Sequence, residues 1–369
     1  MTETAVRAYA SPAPVFVVDD RDDGRLGRDL LRLDVKEGRL GLRTLVARFH
    51  AVGPDSDGSA AGLSYLDGDV FDIGSSLAAV IGLPGAEREV FTGTVSALEV
   101  SFREGSVPYV SVFAEDALMR LRLRERTATY TDMTDSDIAS EIASEHGLGA
   151  AAEASGPTYP TVQQWQQSDL GFLRDRALRL NAEIWVDSQD TLHFADREQR
   201  RGAELELVQG NELVSVQLRA DLAHQRSDVE FRGWDDSTVE AVSESVGADV
   251  IAAEVAGVAG LAGGGLGPEV VADVFGDVPL SRVRQDVLSS ATAQAYAEAE
   301  MRRRARSFVT VDGTTSGTPD LVPGAKLDLR RVGRPFEGAG YRVTFAHHSY
   351  DLTTGYRTAF RAERAVVSR

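Results

Sequence analysis

Between residues 14 and 125 the chain alternates short apolar runs with Gly, Pro and Asp. APVFVVDD, LRLDVKEG, GDVFDIG, EVFTGTVSALEVSF and VPYVSVFAED are rich in β-branched residues and bounded by turn formers. That pattern predicts short strands of an antiparallel barrel or sandwich. The period then changes. In TDMTDSDIASEIASEHGLG (131–149), Thr134 and Asp137 stand at capping-box spacing, Ile138 and Ile142 share a helical face, and Gly147 is a stop. In QSDLGFLRDRALRLNAEIWVDSQDTLHFAD (167–196), Ser168 caps a helix whose Leu170, Leu173, Ala177 and Leu180 form one stripe. Asn181, which tolerates the left-handed conformation, ends it. AEIWVD and TLHFAD then pair across SQD, with Ile184 and Val186 on one face and Trp185 on the other. RVRQDVLSSATAQAYAEAEMRRRARS (282–307) reads as a long helix whose basic end complements its dipole. From residue 320 strands return as AKLDLRR, YRVTFAHHSYD and YRTAFRAERAVV, with a hairpin turning at DLTTG.

These patterns predict an α+β, β-dominated chain: two related antiparallel β-barrel domains, an α/β middle module and an inserted lobe. The boundaries fall at 1–125 for the first barrel and 126–200 for the middle module. The second barrel takes 201–235 and 305–369, and the acidic Gly-rich insertion with its helix takes 236–304. Relatedness of the two barrels rests on an internal echo. GDVFDIG, VFTGTVSALEV and PYVSVFAED are followed about 245 residues later by GAKLDLRR, PFEGAGYRVTF and GYRTAFRAER, each set with a Phe-x-Gly at Phe91/Gly93 or Phe336/Gly338. Those four residues, with Pro323 and Gly324, are expected to shape the barrels. Leu170, Phe172, Leu173 and Trp185 are expected to form the core of the middle module.

Chemistry is sparse. A net charge of −18 argues against binding a phosphate backbone, and the absence of cysteine removes disulfides, thiolate metal sites and cysteine nucleophiles. His347 and His348 are adjacent in a strand and point to opposite faces, so they do not share a metal. GLAGGGLG (260–267) lacks the Lys-Ser/Thr of a phosphate-binding loop, and no G-x-S-x-G elbow is present. Asp19 with Asp20 and Asp235 with Asp236 sit in turn-like acidic runs, and RRRAR (302–306) ends a helix. The expectation is no catalytic, cofactor-binding or metal residue and no export signal, since the apolar run Val15 to Val18 is shorter than the roughly 7–15 residues one needs. No membrane insertion is expected either: VIAAEVAGVAGLAGGGLG (250–267) contains Glu254 and several glycines, whereas a spanning helix needs about 20 mainly apolar residues.

The order VFTGTV, RTATYTDMTDSDIASEIASEHGL, Q-x-x-SD-x-x-FL-x-x-x-A, hairpin, TPDLVPGAKLDL and GYRVTFAHHSYDLTTGYRTAF resembles the phage late control D family over roughly 65–369. That family includes the N-terminal hub portion of VgrG proteins and the hubs of contractile injection particles. Asn181 departs from its usual Gly. The resemblance implies a non-catalytic, homotrimeric baseplate hub in which two barrels per chain present six similar units. Its implied partners are a tail tube protein, a separate spike protein, other inner-baseplate proteins, and cargo or a tape-measure protein. Such a chain is made in the cytoplasm and ends in a phage-tail-like particle. The competing expectations are a cell-wall glycan hydrolase of a tail, recognised by converging carboxyls, and a small-molecule or carbohydrate-binding β-domain, recognised by a concave polar pocket.

Overall fold

The computed structural model describes residues 13–54, 61–65, 68, 70–82, 87–256 and 264–368. Strands dominate, as the alternation of apolar and polar positions requires. Six come from the N-terminal third: β1 (Val15–Val18), β2 (Leu30–Gly38), β3 (Thr44–His50), β4 (Ser76–Ile81), β5 (Arg88–Ser101) and β6 (Tyr109–Glu115). Six lie further on: β7 (Glu204–Val208), β8 (Leu213–Ala220), β9 (Val309–Thr315), β10 (Lys326–Arg330), β11 (Gly338–Asp351) and β12 (Gly355–Arg364). With the two-residue strand Arg21–Asp22 they form one 13-stranded sheet. Its pairings run β1-β4-β5-β6-β3-β2 and β7-β10-β11-β12-β9-β8, and β2 pairs antiparallel with the far half of β11. The described pairings therefore connect both terminal regions without a break and branch at β11, which pairs with β10, β12 and β2.

Among its described residues GDVFDIG forms no strand. Asp72 accepts from the Ile73 amide (2.7 Å) and its carbonyl receives Ser75 N–H, so the segment turns. Phe71 is drawn into the first core beside Phe49 and Tyr65. The strands are instead the flanking runs TLVARFH and SLAAVI, whose alternate residues are buried.

The middle module follows its local signals. The helix α1 (Asp135–Glu145) carries the Thr134/Asp137 capping box, and α2 (Asp169–Leu180) begins at Ser168. Asn181 ends α2 at φ 56° and ψ 31°. Leu170, Phe172 and Leu173 are buried. Ile184 pairs with Phe194, while half-buried Trp185 stacks on His193 with centroids 4.5 Å apart. Two pairings have no local signal: Gly149–Ala152 lies parallel to Thr191–Ala195, and Glu125–Met133 pairs with Tyr159–Ser168.

Two expectations are corrected in the inserted lobe. Val229–Asp235, assigned to the second barrel, pairs with Glu240–Val246 and Leu280–Val287 in a separate sheet, so the lobe begins before Val229. The 282–307 helix is shorter: α3 spans Ser290–Arg306, because Ser289 accepts from Thr292 N–H and caps it there. The preceding residues form the parallel strand Leu280–Val287. The Gly-rich stretch before Gly264 lies outside the described residues. Ala293, Tyr296, Ala297 and Met301 of α3 share one core with Leu173 and Ile184, so lobe and middle module are packed as one body. The basic end of α3 turns inward, where Arg306 pairs with Glu254 (2.7 Å) and Glu198 (3.1 Å).

A buried polar seam lies where this body meets the β2–β11 junction. Glu37 accepts from Arg43 (2.9 Å) and Arg200, and Arg200 lies over the Trp185 ring and faces Glu183. Burial pushes Glu37 upward, but Arg43 and Arg200 more than offset this and hold its carboxyl below the usual range. Burial pushes Asp116 up to about 6, although it accepts from Arg43 N–H (2.8 Å) and Leu118 N–H (3.1 Å). On the inner face of β11, burial pushes His348 down to about 4.

Leu173→Asp is expected to destabilise the middle module by at least about 4 kcal/mol, since it removes a buried leucine and buries an unpaired carboxylate. Circular dichroism should show lost cooperative melting, while Asp at exposed Leu178 should melt like the parent. The seam generates a second expectation. His348 stabilises the fold fully above about pH 6.5, and that contribution of about 3 kcal/mol is lost as pH falls to about 4. Asp116 has the opposite sign: its contribution, also about 3 kcal/mol, is present below about pH 3.8 and lost as pH rises through about 6. The two offset one another between pH 4 and 6.5. In urea titrations across that window, His348→Gln should make stability fall with rising pH, and Asp116→Asn should make it rise. Slopes matching the parent in both variants would contradict this.

Candidate assembly surface

The main sheet contains two copies of one strand path, β1–β6 and β7–β12, and two of the irregularities in each copy coincide. A bulge interrupts the β2/β3 register between Leu30 and Arg32, and another interrupts β8/β9 between Leu213 and Ser215. A second pair lies between Val95 and Ala97 in β5 and between Val343 and Phe345 in β11. At this second bulge Ser96 Oγ donates to the Phe113 carbonyl, and Thr344 Oγ1 donates to the Arg361 carbonyl, both at 3.3 Å. Bulges set twist and register and are unforgiving of slippage, so these two coincident pairs fix the residue-to-residue match around them. The copies differ at their first strand: β1 is antiparallel to β4, whereas β7 is parallel to β10.

This match corrects the sequence echo. Val95 matches Val343, so Phe91 and Gly93 match Ala339 and Tyr341, three residues beyond Phe336 and Gly338. The Phe-x-Gly likeness is not structural equivalence. Phe91 is buried inside β5, and Gly93 is required by a close approach, since a Cβ there would lie 2.2 Å from the Glu115 carbonyl oxygen. Phe336 precedes β11, where its carbonyl accepts from Tyr341 Oη (2.6 Å), and Gly338 opens β11 at φ +108°. Pro323 and Gly324 pack in the turn before β10. Gly324 sits at φ +95° with the Arg200 carbonyl 2.8 Å from where a Cβ would be, which anchors the second copy to the buried seam.

Inside the chain the copies meet where Arg32–Gly38 of β2 pairs with Phe345–Asp351 of β11. On the outer face His347 Nε2 lies 2.8 Å from Asp34 Oδ1, and Arg32 pairs with the same carboxylate at 2.6 Å. Burial raises Asp34, but His347 and Arg32 outweigh it and hold the carboxyl well below its ordinary range. On the inner face His348 bonds Tyr356 Oη at 2.8 Å. His347 and His348 thus face opposite ways, as their adjacency in a strand predicts.

The equivalent edges of the other halves are open. Among the described residues β8 beyond Leu213 pairs only with β9, and β5 beyond Val95 pairs only with β6. Val100 and Phe102, at this open end of β5, are 39% and 60% exposed. No local sequence signal marks these edges; they become visible only once the copies are superposed strand by strand. A cavity of about 700 Å³ beside α3 is lined by Asn181, Glu198, Glu254 and Arg306, with both acids held by that arginine. Among the described residues no group of three or more His, Asp or Glu side chains is placed to hold a metal ion.

No curated protein matches the sequence. Among solved structures, the fold is similar to the 43 kDa tail protein of prophage MuSo2 from Shewanella oneidensis, with 14% identity and a TM-score of 0.68 over 96% of this chain and 99% of that one. It is similar to a tail protein from Neisseria meningitidis MC58, with 15% identity and a TM-score of 0.64 over 95% and 96%. It also resembles the E. coli c3393 protein, described as a component of the type VI secretion system with structural similarity to T4 bacteriophage tail proteins gp27 and gp5. There the identity is 13% and the TM-score 0.58 over 90% and 73%. At such identities the likeness is one of fold. The family described as the Alg8 N-terminal domain matches residues 47–351, and since that span is well over half of the chain, the protein belongs to this family.

Proposed function

We propose that this chain is a structural, non-catalytic hub at the base of a contractile phage-tail-like particle, where three copies form a ring between a sixfold tube and a threefold spike. The duplicated strand path carries this reading. A chain with two matched β-units lets three protomers present six similar surfaces on one face while remaining threefold on the other. Heterologous interfaces whose rotation closes produce such rings. The fold shared with tail and secretion-system proteins supports it. The partners are then a tail tube protein, a separate spike protein and other inner-baseplate proteins, with cargo or a tape-measure protein passing through the bore. No described helix is long and apolar enough to cross a membrane.

Particles purified from cells carrying an affinity-tagged chain should contain it at three copies per tube end, together with tube and spike proteins. Quantitative mass spectrometry and image averaging of the baseplate measure this. Absence of the chain from particles, or turnover of peptidoglycan by the purified chain in a zymogram, would refute the proposal.

A further inference from the structure

We propose that the outer face of the two-stranded ribbon Glu125–Met133/Tyr159–Ser168, together with the cleft beside it, binds a carbohydrate chain. The proposal goes beyond the hub reading and does not depend on it. The ribbon buries Tyr130, Val162 and Gln164 on one face and presents the other to water. On that outer face Thr129 stands opposite Gln163, and Thr131 stands opposite Thr161. Alternation adds Thr127 and Trp165 at the bulge, where Thr127 Oγ1 accepts from Gln166 N–H (3.3 Å). All six side chains are exposed, and Trp165 is 66% exposed. The side chains of Thr129, Thr131, Thr161 and Gln163 make no hydrogen bond to another described residue.

This face carries no charge, in a chain of which 26% is charged. Threonine suits a strand, but that preference accounts for neither Gln163 nor an indole left in water. An acidic peptide calls for cations here, and an apolar helix for more than one apolar side chain. A pyranose ring instead has an apolar C–H face and a rim of hydroxyls that donate and accept. The indole matches the first. The threonine hydroxyls and the glutamine amide, which also donate and accept, match the second.

The cleft gives the chain somewhere to continue. It holds about 590 Å³ and runs from Gln163 and Trp165 to α2 and the start of α3, within the range of small-molecule sites. Tyr159 and Tyr296 line it, the first under Arg176 (4.4 Å) and the second under Arg284 (5.7 Å). At its rim Asp175 accepts from Gln167 Nε2 (2.7 Å), while exposed Arg179, one turn further along α2, pairs with no described residue. A carboxylate and a guanidinium so placed orient neighbouring hydroxyls. Asp175 is the only acid among the described lining residues, so the two carboxyls that glycoside hydrolysis needs are not brought together here. The site holds sugar and does not cut it.

Saturation-transfer NMR of the full chain with short oligosaccharides of glucose, galactose, mannose, rhamnose and N-acetylglucosamine tests this. At least one series should bind saturably and be recovered uncleaved. Trp165→Ala should weaken that binding about tenfold, the loss expected of one stacked ring, and Trp165→Phe should recover most of it. Thr129→Val/Gln163→Leu should also weaken it about tenfold, through lost hydrogen bonds. Trp234→Ala, at an indole 47% exposed on the inserted lobe, should bind like the parent. Every substituted side chain is exposed, so each variant should melt as the parent does by circular dichroism. Three results would each overturn the proposal: no saturable binding of any sugar, sugar binding that survives Trp165→Ala, or saturable binding of a polyglutamate peptide in place of the sugars. None of them bears on the number of chains per particle, so the ring reading stands or falls separately.

Discussion

The backbone ladder between β2 and β11 is the constraint on which the rest depends. It ties residues more than three hundred positions apart, and it makes one sheet of two copies that could otherwise move as separate domains. A strand ladder is directional and in register, so it fixes the angle between copies far more tightly than an apolar contact does. Behind it, the middle module contributes Arg200 and Trp185, and the second copy contributes Arg342, which donates to the carbonyls of Arg197 and Arg200. The helix-and-hairpin unit is therefore a brace whose outer charges are solvated and whose inner charges lock the junction.

Ionic groups buried at that junction are an expensive choice. Two charges brought out of water lose several kcal/mol each in solvation, and apolar residues of like volume are often as stabilising. Geometry is what the charges add. Glu37 is held from two sides by Arg43 and Arg200, and Gly324 lets the turn before β10 approach the Arg200 backbone closely. A greasy contact would tolerate sliding; a fork of fixed donors would not. A part whose two halves must match neighbours at a set angle benefits from that intolerance.

What the sequence made legible follows the range of the interactions involved. Thr134 and Ser168 accept from amides within the first turn, and Asn181 ends α2 through its own left-handed backbone, so α1, α2 and the hairpin after them are readable. The hairpin at DLTTG was readable for the same reason. Partnerships across the chain were not: nothing near Val229 says that it joins Leu280, and nothing in RVRQDV distinguishes a strand from the first turns of a helix except the cap at Ser289. The duplication was sensed through Phe-x-Gly, a motif that tracks composition near strand starts, and so was displaced by three residues. The true markers are Ser96 and Thr344, two small hydroxyl residues at bulges. They look unremarkable in a sequence because what they satisfy is one carbonyl on the facing strand.

The two halves of the duplication have diverged in a telling direction. The junction within the chain carries His347, Asp34 and Arg32 outside and a buried His348 inside, backed by the ionic seam. The equivalent open edges carry exposed Glu99 on β5 and exposed Arg219 on β8, with Val100 and Phe102 left in solvent. The internal junction forms once, as the chain folds, and can bury polar groups that only tight packing satisfies. An edge that stays in water cannot do the same, and a long apolar strip there would invite aggregation. The exposed charges of Glu99 and Arg219 keep these edges hydrated beside Val100 and Phe102. The same position in the two strand paths is thus closed by buried polar groups within the chain and left charged and hydrated at the open edges.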